Sequence, residues 1–174
     1  RQGRPRKEEY LLVDGYNIIF AWDRLKELAN KNLDSAREAL LEILSNFQSY
    51  RGCMMKVVFD AYKISGGIRH YENYDNIDVV FTKEAETADT YIEKTAPELS
   101  KQYLVRVATS DNLEQMMVWG GGAFRMSALE LKAEIENTDR EIDMFIEKHN
   151  RKNKMENRRG IKIPEQNSDG DDKK

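Results

Sequence analysis

Cysteine is almost missing. Cys53 is the only one in 174 residues, which excludes an intramolecular disulfide and a cysteine-rich metal centre and points to a reducing compartment. Histidine is nearly as scarce: His70 and His149 are the only two, and neither stands at zinc-ligand spacing, so zinc is not expected. No apolar run approaches membrane-spanning length, and no membrane partner is expected. No signal-peptide pattern opens the chain, which starts Arg1-Gln2-Gly3 rather than with Met. A large excess of charge of one sign is also lacking. The net charge of −3 excludes a protein that coats DNA by bulk charge.

What is present is one domain's worth of chain, long enough to bury a core, with the high charged share of helical surfaces. The basic charge is local. Arg1, Arg4, Arg6 and Lys7 begin the chain. Lys148, Arg151, Lys152, Lys154, Arg158, Arg159 and Lys162 face a single acid, Glu156, between positions 148 and 162. Asp169, Asp171 and Asp172 follow in a polar tail of the composition that stays disordered. Residues 1–9 read as a mobile basic arm and 151–174 as a basic, then acidic, disordered tail.

Between them, hydrophobic patterning alternates strand and helix. Tyr10-Leu11-Leu12-Val13-Asp14 reads as a first strand ending on an acid. A connection over 16–32 holds a helical turn near Asp23–Ala29. Ser35 and Glu38 fit a capping box for a helix carrying Ala36, Leu40, Ile43, Leu44 and Phe47, which Gly52 ends. Lys56-Val57-Val58-Phe59-Asp60 is a second strand, again ending on an acid. Residues 61–76 read as a loop with at most a short irregular strand. Ile77–Phe81 is a third strand; Thr87 caps a helix through Ile92 toward Pro97; Tyr103–Ala108 is a fourth strand. A helix through Leu113, Met116 and Met117 leads to Gly120-Gly121-Gly122, read as a chain reversal. A long helix begins near Ser127, with Leu131, Ile135, Thr138, Ile142 and Phe145 on one face for about five turns, fraying after His149. The alternation predicts an α/β fold: a mainly parallel sheet between helical layers, its functional end at the carboxyl edge of the strands.

Acids collect at that edge. Asp14 and Asp60 end strands, Glu86 and Asp89 start a helix, and Asp111 follows the fourth strand. Two unit charges about 4 Å apart repel by roughly 4 kcal/mol at an effective dielectric near 20, so such a cluster must hold protons or a cation. Oxygen ligands without His or Cys favour Mg²⁺ or Mn²⁺. That chemistry suits hydrolysis of a phosphodiester. Each acid also has a plain structural reading. Asp111 could cap its helix, Asp89 and Glu86 could favour a helix N-terminus, Asp14 could make an Asx-type turn before Gly15, and Asp60 could end a strand in solvent.

Five separated motifs then carry a resemblance. Val13-Asp14-Gly15-Tyr16-Asn17 resembles the opening motif of NYN nuclease domains, relatives of PIN-domain nucleases. The likeness continues through Val57-Val58-Phe59-Asp60-Ala61, Phe81-Thr82-Lys83-Glu84, Glu86-Thr87-Ala88-Asp89 and Ala108-Thr109-Ser110-Asp111, and on through Gly120–Glu130. Over residues 10–150 the chain resembles the YacP-like branch, ribosome-associated endoribonucleases of bacteria and plastids. The resemblance implies a three-layer α/β/α sandwich of PIN-like type with a long C-terminal helix. It implies a monomer that cleaves single-stranded mRNA in the ribosomal A site with Mg²⁺ or Mn²⁺, in the cytoplasm or, given the basic start, the chloroplast stroma. It makes Asp14, Asp89 and Asp111 the catalytic, metal-holding acids. Asn17 would orient Asp14 or the substrate, Thr109 and Ser110 would hold Asp111 and a metal water, and Asp60 and Glu86 would support. Where many PIN-like enzymes carry paired acids this chain has Asp89-Thr90, which leaves the number of metal ions open.

Cations beside aromatics in the 61–76 stretch (Lys63, Arg69 and His70 with Tyr62, Tyr71 and Tyr74) suit single-stranded RNA. Arg125, Arg151, Lys152, Arg158 and Arg159 are expected to meet ribosomal RNA, with salt-sensitive binding. A solvated loop and a solvated helix end are the plain alternatives. Two other functions compete with the nuclease. One is a non-catalytic ribosome- or RNA-binding module on the same fold. The other is a small-phosphoester hydrolase, against which stands the absence of an Asp-x-Asp nucleophile motif, since Gly15 and Tyr16 follow Asp14.

Overall fold

The computed structural model describes residues 6–61, 70–109 and 123–159. In them run β1 (Glu9–Asp14), α1 (Gly15–Ala21), α2 (Asp23–Lys31), α3 (Leu33–Arg51), β2 (Met54–Phe59), β3 (His70–Tyr74), β4 (Ile77–Phe81), α4 (Ala88–Ser100), β5 (Leu104–Thr109), β6 (Ala123–Ser127) and α5 (Ala128–Arg158). The strands form one sheet in the order β3-β4-β2-β1-β5-β6. Only β3 runs antiparallel to its neighbour; the other pairings are parallel.

The unbroken apolar run of β1 follows from its place near the middle of that sheet, where both faces are covered. Leu11 and Val13 pack into one core with Ile18, Leu25, Leu40, Leu44 and Phe47 of the first three helices and Leu131 and Ile135 of α5. Tyr10 and Leu12 face the opposite core, built with Tyr91, Ile92 and Ala96 of α4. This is the three-layer arrangement with a mainly parallel sheet and a long last helix that the alternating pattern implies. Cys53 is buried in the first core, without a disulfide.

Several elements depart from the sequence reading. Glu9, placed in a mobile arm, opens β1, and Glu8 already accepts a hydrogen bond from the Leu104 amide. The connection after β1 is two helices rather than a single helical turn. The cap of α3 is Asn32, whose side chain accepts from the Ser35 amide at 3.1 Å, so the helix begins at Leu33 and Ser35 and Glu38 are not its capping box. Gly52 ends it as expected, at φ 71°, where a side chain would be strained. β3 pairs residue for residue with β4 as an edge strand. β6, which the sequence did not suggest, extends the other edge. Pro97 lies inside α4, which runs on to Ser100. The stretch through Leu113–Met117 and Gly120–Gly122 lies outside the described residues.

The chain divides after Thr138 into two units. In the first, α5 buries Ala128, Leu131, Ile135 and Thr138. Trp22 donates from Nε1 to the Ala128 carbonyl at 2.9 Å, and Arg106 of β5 ties Glu9 to Glu134 through short ion pairs. In the second, the expected apolar face is not covered among the described residues: Ile142 is half-buried and Phe145 is 69% exposed. The helix does not fray after His149. It continues to Arg158, with a Glu147–Arg151 pair at i,i+4 spacing and the Phe145 and His149 rings stacked.

Candidate active site

Three parallel strands end side by side: β1 on Asp14, β2 just before Asp60, β5 on Thr109. Pairing of Val13 with Ala108 sets Asp14 beside Thr109 one step later. The chain turns from Asp14 directly into α1, and Gly15 is what permits it. A Cβ there would lie 2.2 Å from Cε1 of Phe59, so the turn can press against that ring only with no side chain.

Asp14 is 3% exposed. Its Oδ2 accepts from Nδ2 of Asn17 at 2.5 Å and from Oγ1 of Thr109 at 3.4 Å, and Asn17 also donates to Thr109 at 3.3 Å. Asn17 comes from the first turn of α1, so a single helical turn brings the amide back over the carboxylate. Both donors sit on Oδ2 and leave the lone pairs of Oδ1 to other partners.

A further partner of the Asp14 carboxyl is Asp89. Burial pushes the Asp14 carboxyl up to about 7, helped by the Asp89 charge, by a hydrogen bond to the Asp89 side chain and by the charge of Asp60; the Asn17 bond pulls the other way. Asp89 arrives on the first turn of α4, where the helix dipole favours a carboxylate. That turn is fixed twice. Thr87 caps it by accepting from the Thr90 amide at 3.1 Å, and Oδ1 of Asp60 accepts from the Ala88 amide at 2.5 Å. Asp60 therefore positions the helix that carries Asp89. Glu86 enters through its backbone carbonyl, which accepts from the Thr82 hydroxyl at 2.7 Å; the same hydroxyl oxygen accepts from the Ala61 amide at 3.1 Å. Thr82, 1% exposed, thus ties the end of β2 to the start of α4, a role the sequence reading missed. Thr109 bonds to Asp14 and Asn17; its expected partner Asp111 falls beyond the described residues.

Asp111 and Ser110 lie outside the described residues, as do Lys63 and Arg69. Of the expected RNA contacts within them, His70 opens β3 with its ring 6.1 Å from Phe81, and Tyr71 is exposed on the same edge strand. Arg125 is half-buried in β6, opposite Val107. Arg151, Lys152 and Arg158 are exposed on α5, and Arg159 follows it.

Among the described residues no three or more His, Cys, Asp or Glu side chains gather closely enough to hold a metal ion. The donors that do meet, Asp14 and Asp89, are oxygen donors only, and the raised proton affinity of Asp14 marks a place short of positive charge. A hard divalent cation fits that chemistry.

A model of the YacP-like NYN domain matches residues 11–168. The Bacillus subtilis protein described as uncharacterized protein YacP is 43% identical over 141 residues, covering 80% of this chain and 82% of that one. Two crystal structures of Rae1 (YacP) from Bacillus subtilis superpose on the fold at 41% identity. The wild type has a TM-score of 0.68, over 84% of each chain. A tryptophan-to-leucine mutant has 0.69, over 82% of this chain and 84% of that one.

Proposed function

The chain belongs to the YacP-like NYN domain family, and from that premise we propose that it is a divalent-metal-dependent endoribonuclease acting on single-stranded mRNA at the ribosomal A site. The observation that carries the reading is the meeting of Asp14 and Asp89, remote in sequence, at the carboxyl edge of a parallel sheet. A Mg²⁺ or Mn²⁺ held there would lower the pKa of a bound water and offset charge on the phosphodiester.

The protein's own groups prepare that place. Asn17 and Thr109 fix the plane of the Asp14 carboxylate through Oδ2. Asp60 and Thr87 fix the first turn of α4 and with it Asp89. Burial first, then the Asp89 and Asp60 charges, raise the proton affinity of Asp14, a penalty that a bound cation would offset. The hard-ion chemistry supports the choice of metal, and the family resemblance supports RNA and the ribosome as partners.

Cleavage of single-stranded RNA by Asp14→Asn and Asp89→Asn tests the reading. Both variants are expected to fold and to lose cleavage. Full activity in either would remove the acid pair from the mechanism. Ribosome co-sedimentation without any RNA cleavage by the parent chain, with Mg²⁺ or with Mn²⁺, would instead make it a binding module.

A further inference from the structure

A series of aromatic rings, most of them buried, starts on α1, the helix whose Asn17 bonds Asp14. Phe20 stands three residues after Asn17 on α1, which sets the two on one side of that helix. It is 51% exposed, a large apolar ring open to solvent one helical turn from Asn17. Its ring lies 6.4 Å from Tyr16, Tyr16 lies 5.0 Å from Phe59, Phe59 stacks on Phe81 at 5.5 Å, and His70 stands 6.1 Å from Phe81.

A cation is set into this series. Arg37 of α3 donates from Nη1 to the Tyr16 hydroxyl at 3.0 Å, and its guanidinium lies 5.9 Å from the centre of the Phe81 ring. Tyr16 feels both Arg37 and Asp60: burial raises its pKa first, Arg37 lowers it, Asp60 raises it. The guanidinium thus shares a neighbour with the acid that anchors α4. Among the described residues its ion-pair partner is Asp34, whose side chain is 80% exposed against 16% for Arg37. A guanidinium has five N–H donors, so its partners among the described residues do not use them all. Because Asp34 faces solvent, another anion can reach its place on the guanidinium.

We propose that Phe20 and Arg37 are the contacts that hold the substrate strand beside the acid pair: a base of single-stranded RNA stacks on Phe20, and Arg37 takes a phosphate of the same strand. An exposed ring and an oriented guanidinium, both against Tyr16, match how unpaired nucleic acid is held, by stacking that tolerates any base and by a fork that suits phosphate oxygens. The inference rests on the RNA reading above and adds the two side chains that would hold the strand. Neither residue touches the acids, so both are binding residues rather than catalytic ones.

The test is the affinity of the full chain, carrying Asp14→Asn to prevent cleavage, for a fluorescein-labelled single-stranded oligoribonucleotide of mixed sequence, measured by anisotropy across a salt series. Phe20→Ala is expected to weaken binding about 5- to 100-fold, and Phe20→Trp to retain it. Arg37→Gln is expected to weaken binding and lower the slope of log affinity against log salt by about 0.7, one single-strand phosphate contact. A merely structural arginine would leave that slope unchanged. Asp34→Asn, which frees the guanidinium, is expected to bind at least as tightly as its parent. Thermal unfolding checks the fold, and Phe20→Ala carries the test should Arg37→Gln prove unstable, because its ring is open to solvent. Parental affinity and salt slope in both Phe20→Ala and Arg37→Gln, or no binding by the parent, would overturn the proposal. Cleavage by the chain with Asp14 intact is scored separately. Phe20- and Arg37-dependent binding in a chain that cuts no RNA sustains the contact and removes the nuclease. Cleavage with both variants binding normally does the reverse.

Discussion

At the scale of single residues, Asp14 combines two properties that pull apart: the proposed cation site calls for its charge, and its surroundings penalise that charge. Its carboxyl is raised to about 7 in the fold against 3.8 in an unfolded chain. Between those values the folded protein holds a proton that the unfolded chain has released. The stabilisation from Asp14 is therefore complete below about pH 4, falls as pH rises toward 7, and is gone above it. Asp14→Asn, which cannot ionise, is expected to be more stable than the parent at pH 8 by roughly 1–4 kcal/mol, with the gap closing toward pH 4. Urea unfolding at the two pH values measures this, and a variant less stable than the parent at pH 8 would contradict it. Asn17 and Thr109 act on the same carboxylate from outside. Asn17→Ala or Thr109→Val is expected to slow cleavage about 10- to 100-fold while the affinity for uncleaved RNA stays near that of the parent.

Among the elements, the two helix starts around β1 and α3 separate what sequence shows from what it hides. Gly15→Ala must drive a methyl group into the Phe59 ring and is expected to cost about 1–3 kcal/mol, read as a lowered thermal midpoint. Asn32→Ala removes the side-chain cap of α3 and is expected to cost about 1 kcal/mol. Ser35→Ala should cost little, because only its backbone amide is used. Equal losses from both would restore the capping box the sequence suggested. The central strands and the body of α3 were legible because a buried apolar run or a helical stripe carries its own signal. β6 was not: Phe124-Arg125-Met126-Ser127 alternates for only four residues, directly before a helix, and it is a strand because β5 offers an open edge. α1 was hidden too, since it is a helix of seven residues whose N-cap, Asp14, makes no side-chain cap bond. Asp14 and Asp89 could be found from strand ends and motif order. The part played by Thr109 could not, because it depends on the register that pairs Val13 with Ala108.

For the molecule as a whole, the chain divides after Thr138 into two units, and the proposed function assigns each its own task. Both buried cores and both described site acids belong to the first unit, whereas Arg151, Lys152, Arg158 and Arg159 belong to the second. A chain ending at Thr138 is accordingly expected to fold and to cleave unbound single-stranded RNA, but to lose co-sedimentation with ribosomes, which in the full chain should weaken as salt rises. Ribosome binding undiminished by the truncation would place the contact on the first unit. The most direct measurement is to map mRNA ends after adding the protein to translating ribosomes, in parallel with its Asp14→Asn variant. New ends at A-site positions with the parent chain alone are the expected result; the same ends with both chains, or with neither, would contradict cleavage at the Asp14–Asp89 pair.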